Sequence, residues 1–191
     1  MMGKLACLIG VSGAGKGFVV EKMLRENGGF EIITGDIVLH HAAIRLCPYL
    51  KPVHAWDWEL WKLLVRDCDV RSAMRRTILD LVGCGSISAP SDKPLLAEAT
   101  LFGMKSLRVD FQFALQKAGF DISESRVFWL DVSPKLVLEQ IRKRDRQNER
   151  MIDEAEVDRR VKQYADTDPG ADDRSDDGEK VASAIREFFL S

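Results

Sequence analysis

A chain of 191 residues, 46% hydrophobic and 30% charged, is long enough to bury one sizeable core. Its formal net charge of -2 builds no global basic field, so nucleic-acid binding is not expected, and its apolar runs fall short of a membrane span. Cys7, Cys47, Cys68 and Cys84 lack CxxC or zinc-site spacing, and LACLIG runs into glycine with no signal-peptide pattern, so reduced core thiols in a cytoplasmic protein are expected.

In chain order, residues 5–11 form a short apolar run bounded by glycine, which suits a buried parallel strand. Residues 16–26 carry apolar side chains at helical spacing, and 30–33 read as a second strand that stops at Thr34, Gly35 and Asp36. Residues 37–85 look helical, broken at CPYLKP, with an amphipathic stretch over 70–82. A third strand is expected over 93–99, a helix over 107–117, and a fourth strand over 126–132. The next helix is capped near Ser133 with Pro134 in its first turn. Residues 166–178 are acidic with Gly and Pro and read as a loop; a last helix covers 179–190. Strands alternating with helices predict a three-layer α/β/α domain around a parallel sheet.

Between the first strand and first helix stands Gly10-Val11-Ser12-Gly13-Ala14-Gly15-Lys16-Gly17-Phe18. A phosphate-binding loop needs glycines, because its backbone must curl around an anion so that successive N–H groups and a helix start point at it. Lys16 then reaches the outer phosphates. Gly17 stands where the general pattern has Ser or Thr, and Phe18 follows it.

The version with Gly after the lysine resembles that of adenylate kinase and the other nucleoside monophosphate kinases, where a Thr follows; here Phe18 replaces it. Thr34-Gly35-Asp36 resembles the family's monophosphate-side turn, with Leu39 in place of its Arg. Arg45 is the substitute grip, with a plain surface helix as the alternative. Arg108 and Gln112 keep the family's Arg-to-Gln spacing on one helical face, without the preceding D-G-F-P. Arg144, Arg150, Asp153, Arg160-Val161-Lys162-Gln163-Tyr164 and Thr167-Asp168-Pro169 resemble the lid and lid return of the short-lid, UMP/CMP-kinase-like members.

The resemblance covers roughly residues 4–170 and implies the P-loop NTPase fold. Its core would be 1–36, 86–143 and 161–191, with a helical monophosphate-binding insertion at 37–85 and a lid at 144–160, all in one monomeric domain. The family's fifth strand has no visible counterpart in the acidic tail, so four or five parallel strands are expected. The implied function is transfer of the ATP γ-phosphate to a nucleoside monophosphate. Lys16, Arg144, Arg150 and Arg160 would be catalytic, and Gly10, Ser12, Gly13, Ala14, Gly15, Lys16, Gly17 and Phe18 would bind ATP. Thr34, Gly35, Asp36, Arg45, Arg108 and Gln112 would hold the substrate. Asp36 and Glu98 would reach Mg2+ through water, Glu98 having a plain capping role as its alternative.

Two other readings stay open. With the monophosphate grip altered, the acceptor can be a small alcohol or a polynucleotide 5' hydroxyl with Asp36 as base. The summed departures also fit a nucleotide binder without catalysis. Trp56, Trp58 and Trp61 read either as core packing or as a stacking platform.

Overall fold

The computed structural model describes residues 3–26, 29–49, 58–145, 154–166 and 169–191. Five strands, β1 (Lys4–Ile9), β2 (Glu31–Thr34), β3 (Leu95–Glu98), β4 (Glu124–Leu130) and β5 (Asp173–Ser175), form one parallel sheet in the order β2-β3-β1-β4-β5. The helices are α1 (Lys16–Glu26), α2 (Gly35–Leu46), α3 (Trp58–Asp67), α4 (Val70–Gly83), α5 (Lys105–Lys117), α6 (Pro134–Asp145), α7 (Glu154–Ala165) and α8 (Gly178–Leu190). A 3-10 turn, Leu101–Gly103, joins β3 to α5.

The central strand β1 is buried almost throughout, as expected of a strand covered on both faces. Helices α1 and α8 pack together, and α4 packs against α2 and α5. No described helix is long and apolar enough to cross a membrane. Cys7 lies in the core, where burial pushes its thiol up to about 12, but Cys68 and Cys84 are exposed, contrary to the expectation of core thiols.

The fifth strand exists, and its bonding explains why the sequence hides it. Asp-Arg-Ser offers no apolar run, because β5 is an edge strand held by polar contacts rather than by burial. Phe128–Leu130 pair with Asp173–Ser175, and Ser175 O accepts from Asp131 N–H at 2.8 Å. The Asp172 carboxylate accepts from Val127 N–H at 2.7 Å. Arg174 bonds Asp131 at 2.5 Å and lies 4.2 Å over the Trp129 ring. An ion pair and a cation–π contact thus replace the hydrophobic signal.

Strand register decides where chemistry can gather. Glu98 is opposite Leu8 of β1 and Thr34 of β2, so Gly10, Asp36 and Thr100 all follow directly from the same edge of three adjacent strands. Ligands bind at such carboxyl edges in open parallel sheets.

Candidate phosphoryl-transfer site

The loop after β1 is built as its glycines require. Gly13 and Gly15 have φ of +88° and +95°, which side chains rarely adopt, and a Cβ at Gly13 would stand 2.5 Å from Ile141 Cγ1 of α6. The first helical bond of α1 runs from Phe18 N–H to Gly15 O at 2.9 Å. The amides of Lys16 and Gly17 therefore precede the intrahelical ladder and belong to the helix start that favours an anion. Gly17 has no neighbour within 4 Å of a built Cβ.

These geometries separate two substitutions that look alike in sequence. Gly13→Ala is expected to cost about 1–3 kcal/mol through strain at a left-handed position. Gly17→Ala, at an open helical position, is expected to be neutral or to gain about 0.5–1 kcal/mol. Thermal unfolding of both variants beside the parent checks the contrast, and equal losses would contradict it.

Phe18 does not line the phosphate cradle with its side chain. It is 53% exposed, and its ring lies on Gly178 at the start of α8, where a Cβ would come within 3.1 Å of it. Phe18 thus packs α1 against the start of α8.

Lys16 is only 8% exposed and donates to Gly10 O at 3.0 Å, Val11 O at 3.3 Å and Thr100 Oγ1 at 3.0 Å. Burial lowers its pKa, against the pull of the nearby carboxylates of Asp36 and Glu98. Thr100 N–H in turn donates to Asp36 Oδ1 at 3.2 Å. One threonine therefore ties the lysine of the β1 loop to the carboxylate that follows β2. Thr100 carried no recognisable motif; the only signal was a hydroxyl two residues past Glu98, at the end of a strand.

Asp36 has its pKa raised to about 6, chiefly by burial, with Glu98 adding to the rise and Lys16 and the Thr100 amide opposing it. The TGD glycine has a packing role: a Cβ on Gly35 would lie 2.5 Å from the Phe102 ring, so only glycine lets α2 begin against the 3-10 turn. Thr34 makes no side-chain capping bond to α2.

Three of the expected acceptor contacts are engaged elsewhere. Arg108 is 7% exposed and donates to the carbonyls of Phe102, Gly103 and Pro169, tying the 3-10 turn to the chain after α7. Burial lowers its pKa. Gln112 accepts from Ser125 Oγ at 3.1 Å, and Ser125 pairs with Leu5 near the opposite edge of the sheet from the loop. Arg45 lies nine residues beyond Asp36 on α2, about 13 Å along the axis, and pairs with Asp80 of α4. On α5, Arg108 thus forms a buried clamp and Gln112 a surface contact. Arg108→Met is expected to destabilise the fold by about 1–3 kcal/mol, because buried carbonyls lose their donors; a shift of the urea midpoint measures it.

Arg150 lies outside the described residues, as does the Arg144 side chain; Arg160 is on the exposed face of α7. Tyr164, from the same helix, is buried beside the loop. Its ring packs on Gly103 and between Trp58 at 5.9 Å and Trp129 at 6.0 Å, and burial pushes the pKa of its hydroxyl up. Trp61 is fully buried core, Trp58 is half-buried, and Trp56 lies outside the described residues.

Among the described residues no cluster of three His, Cys, Asp or Glu side chains forms a cation cage. Asp36 and Glu98 fit a different arrangement, in which Mg2+ keeps most of its waters and is carried by phosphates beside one or two carboxylates. The cation would supply charge neutralisation on the transferred phosphoryl group.

No protein-family model and no curated protein matches the chain. Among solved structures it is similar to the Deinococcus radiodurans tunicamycin resistance protein, at 14% identity over 97% of this chain and 95% of that one, with TM-score 0.56. It is similar to TT1252 from Thermus thermophilus, at 15% identity over 99% and 96%, TM-score 0.54. It also matches a shikimate kinase from Bacteroides thetaiotaomicron, at 13% identity over the full length of both chains, TM-score 0.51. At such identities the likeness establishes a P-loop kinase-like fold.

Proposed function

We propose that the protein is an ATP-dependent phosphotransferase whose acceptor is a hydroxyl group, with Asp36 as the general base. The observation that carries this reading is the Lys16–Thr100–Asp36 bridge, which fixes a cation and a carboxylate against each other at the ends of three adjacent strands. A monophosphate acceptor is already an anion and needs no base, whereas an alcohol needs its proton removed as the new bond forms. The monophosphate reading also asks Arg45, Arg108 and Gln112 to grip the acceptor, and each has another partner. One protein that shares this fold is, by its name, a kinase of a small hydroxyl compound.

On this reading the amides of Gly13, Gly15, Lys16 and Gly17 and the Lys16 ammonium hold the β- and γ-phosphates of ATP. Asp36 accepts the acceptor's hydroxyl proton, the acceptor oxygen forms a bond to the γ-phosphorus, and the bond to the bridging oxygen breaks, releasing ADP. Little covalent chemistry is asked of the protein beyond placing these groups in line and balancing charge. Arg160, with Arg144 and Arg150, would supply guanidinium groups over the reaction centre, where the planar fork binds phosphate oxygens in pairs. Asp36 and Glu98 would face the hydrated Mg2+.

The test is ADP release from Mg-ATP with a panel of small alcohols, hydroxylated acids, nucleosides and nucleoside monophosphates, each read against ATP alone. Turnover with hydroxyl compounds is expected; turnover confined to monophosphates would overturn the reading.

A further inference from the structure

Between α3, the start of α5 and α7 runs a groove that the phosphate loop does not include. Two contiguous cavities of about 350 Å³ and about 530 Å³ share Trp58, Lys62 and Asp166. Lys62 of α3, Lys105 of α5, and Arg159 and Lys162 of α7 converge on them. Among the described residues the lining of the groove sets Lys62, Lys105, Arg159 and Lys162 against Asp166, and Glu59 bonds Lys62 at 2.8 Å. The first turn of α5 carries no acidic residue, and its partial positive charge adds to the same field.

One wall is aromatic. The half-buried Trp58 tilts on the Tyr164 ring, and the same side chain closes on Gly103, where a Cβ would stand 3.0 Å from it. Single exposed lysines hold an anion weakly and are screened by salt. Several of them beside an aromatic surface suit a ligand that offers negative charge and a flat face together.

Tyr164 backs the aromatic wall: its ring packs on Trp58 and Gly103 at the groove and on Trp129.

We propose that this groove binds a compound that carries a phosphate-type anion on or next to a flat ring. The ligand class is a ring-bearing phosphate ester, and the inference stands apart from the hydroxyl-kinase reading.

The test is calorimetric titration of the full chain, saturated with the non-hydrolysable analogue AMP-PNP and Mg2+, with phenyl phosphate, inorganic phosphate and benzyl alcohol. Phenyl phosphate is expected to bind at one site, at least tenfold more tightly than benzyl alcohol and several-fold more tightly than inorganic phosphate, and to weaken as salt rises. Lys62→Glu/Lys162→Glu is expected to cost at least tenfold for phenyl phosphate, and Trp58→Leu a further loss confined to the aryl compound; thermal midpoints show that both variants fold. Unchanged affinity in the charge-reversed protein, or equal binding of benzyl alcohol, would overturn the proposal. Equal binding of inorganic phosphate would overturn its aromatic part. AMP-PNP binding is read separately at the loop, so its failure would strike the kinase reading, while the phenyl phosphate titration stays readable in the protein alone.

Discussion

Asp36→Asn is expected to lower kcat/KM for transfer to a hydroxyl acceptor by about a hundredfold to ten-thousandfold, the range for losing a positioned general base. The amide keeps the size of the carboxyl and can still accept from Thr100 N–H, so the site stays assembled while its base is gone. The wild-type rate should rise with pH to a plateau with a midpoint close to about 6, where the Asp36 carboxyl titrates, and the variant should lose that limb.

Stability should move the other way. Burial raises the Asp36 carboxyl from 3.8 to about 6, so between these values the folded chain holds a proton that the unfolded chain has released. Its contribution therefore falls as pH rises through that window, and above it the full cost of a buried charge remains. Asp36→Asn removes that cost and should raise unfolding free energy at pH 7.5 by on the order of 1–3 kcal/mol, with little change near pH 3.5. Denaturant unfolding at the two pH values measures it. An inactive variant that is also less stable at pH 7.5 would mean that the carboxylate is a structural anchor and not a base held at a cost.

Lys16→Ala should reduce kcat by about a hundredfold to a thousandfold, as expected when a preorganised charge facing the transferred group is lost. A second effect tests the coupling between the two residues. The Lys16 charge opposes the rise of the Asp36 carboxyl. Its removal should therefore move the acid limb of the residual rate to higher pH. An unshifted limb would show that the two groups do not sense each other through the Thr100 bridge.

What could be read in the sequence follows from how each feature is held. The phosphate loop was legible because its constraint is local: Gly13 and Gly15 must take positive φ, and Lys16 must follow at once. Asp36 was legible because it follows a short strand directly. The fifth strand was not, because Arg174 and Asp172 hold it by charge and hydrogen bonding rather than by apolar burial. The partners of Arg108 were hidden for a related reason. Helical spacing puts Arg108 and Gln112 on one face, but it does not say that Arg108 turns inward, toward the carbonyls of Phe102 and Pro169. Thr100 is a single residue whose importance comes wholly from the register that brings β1, β2 and β3 to one edge. Phe18 departs from the loop pattern because its side chain serves α8, its ring lying on Gly178.

The central claim is that the acceptor atom is a hydroxyl oxygen activated by Asp36. It is tested most directly by phosphorus NMR of the product formed from Mg-ATP and whichever acceptor in the panel releases ADP. The account predicts the single resonance of a new phosphomonoester, a phosphorus bonded to carbon through one oxygen, absent from the Asp36→Asn reaction. A coupled pair of phosphoanhydride resonances, formed by adding the phosphoryl group to an existing phosphate and retained in Asp36→Asn, would contradict it.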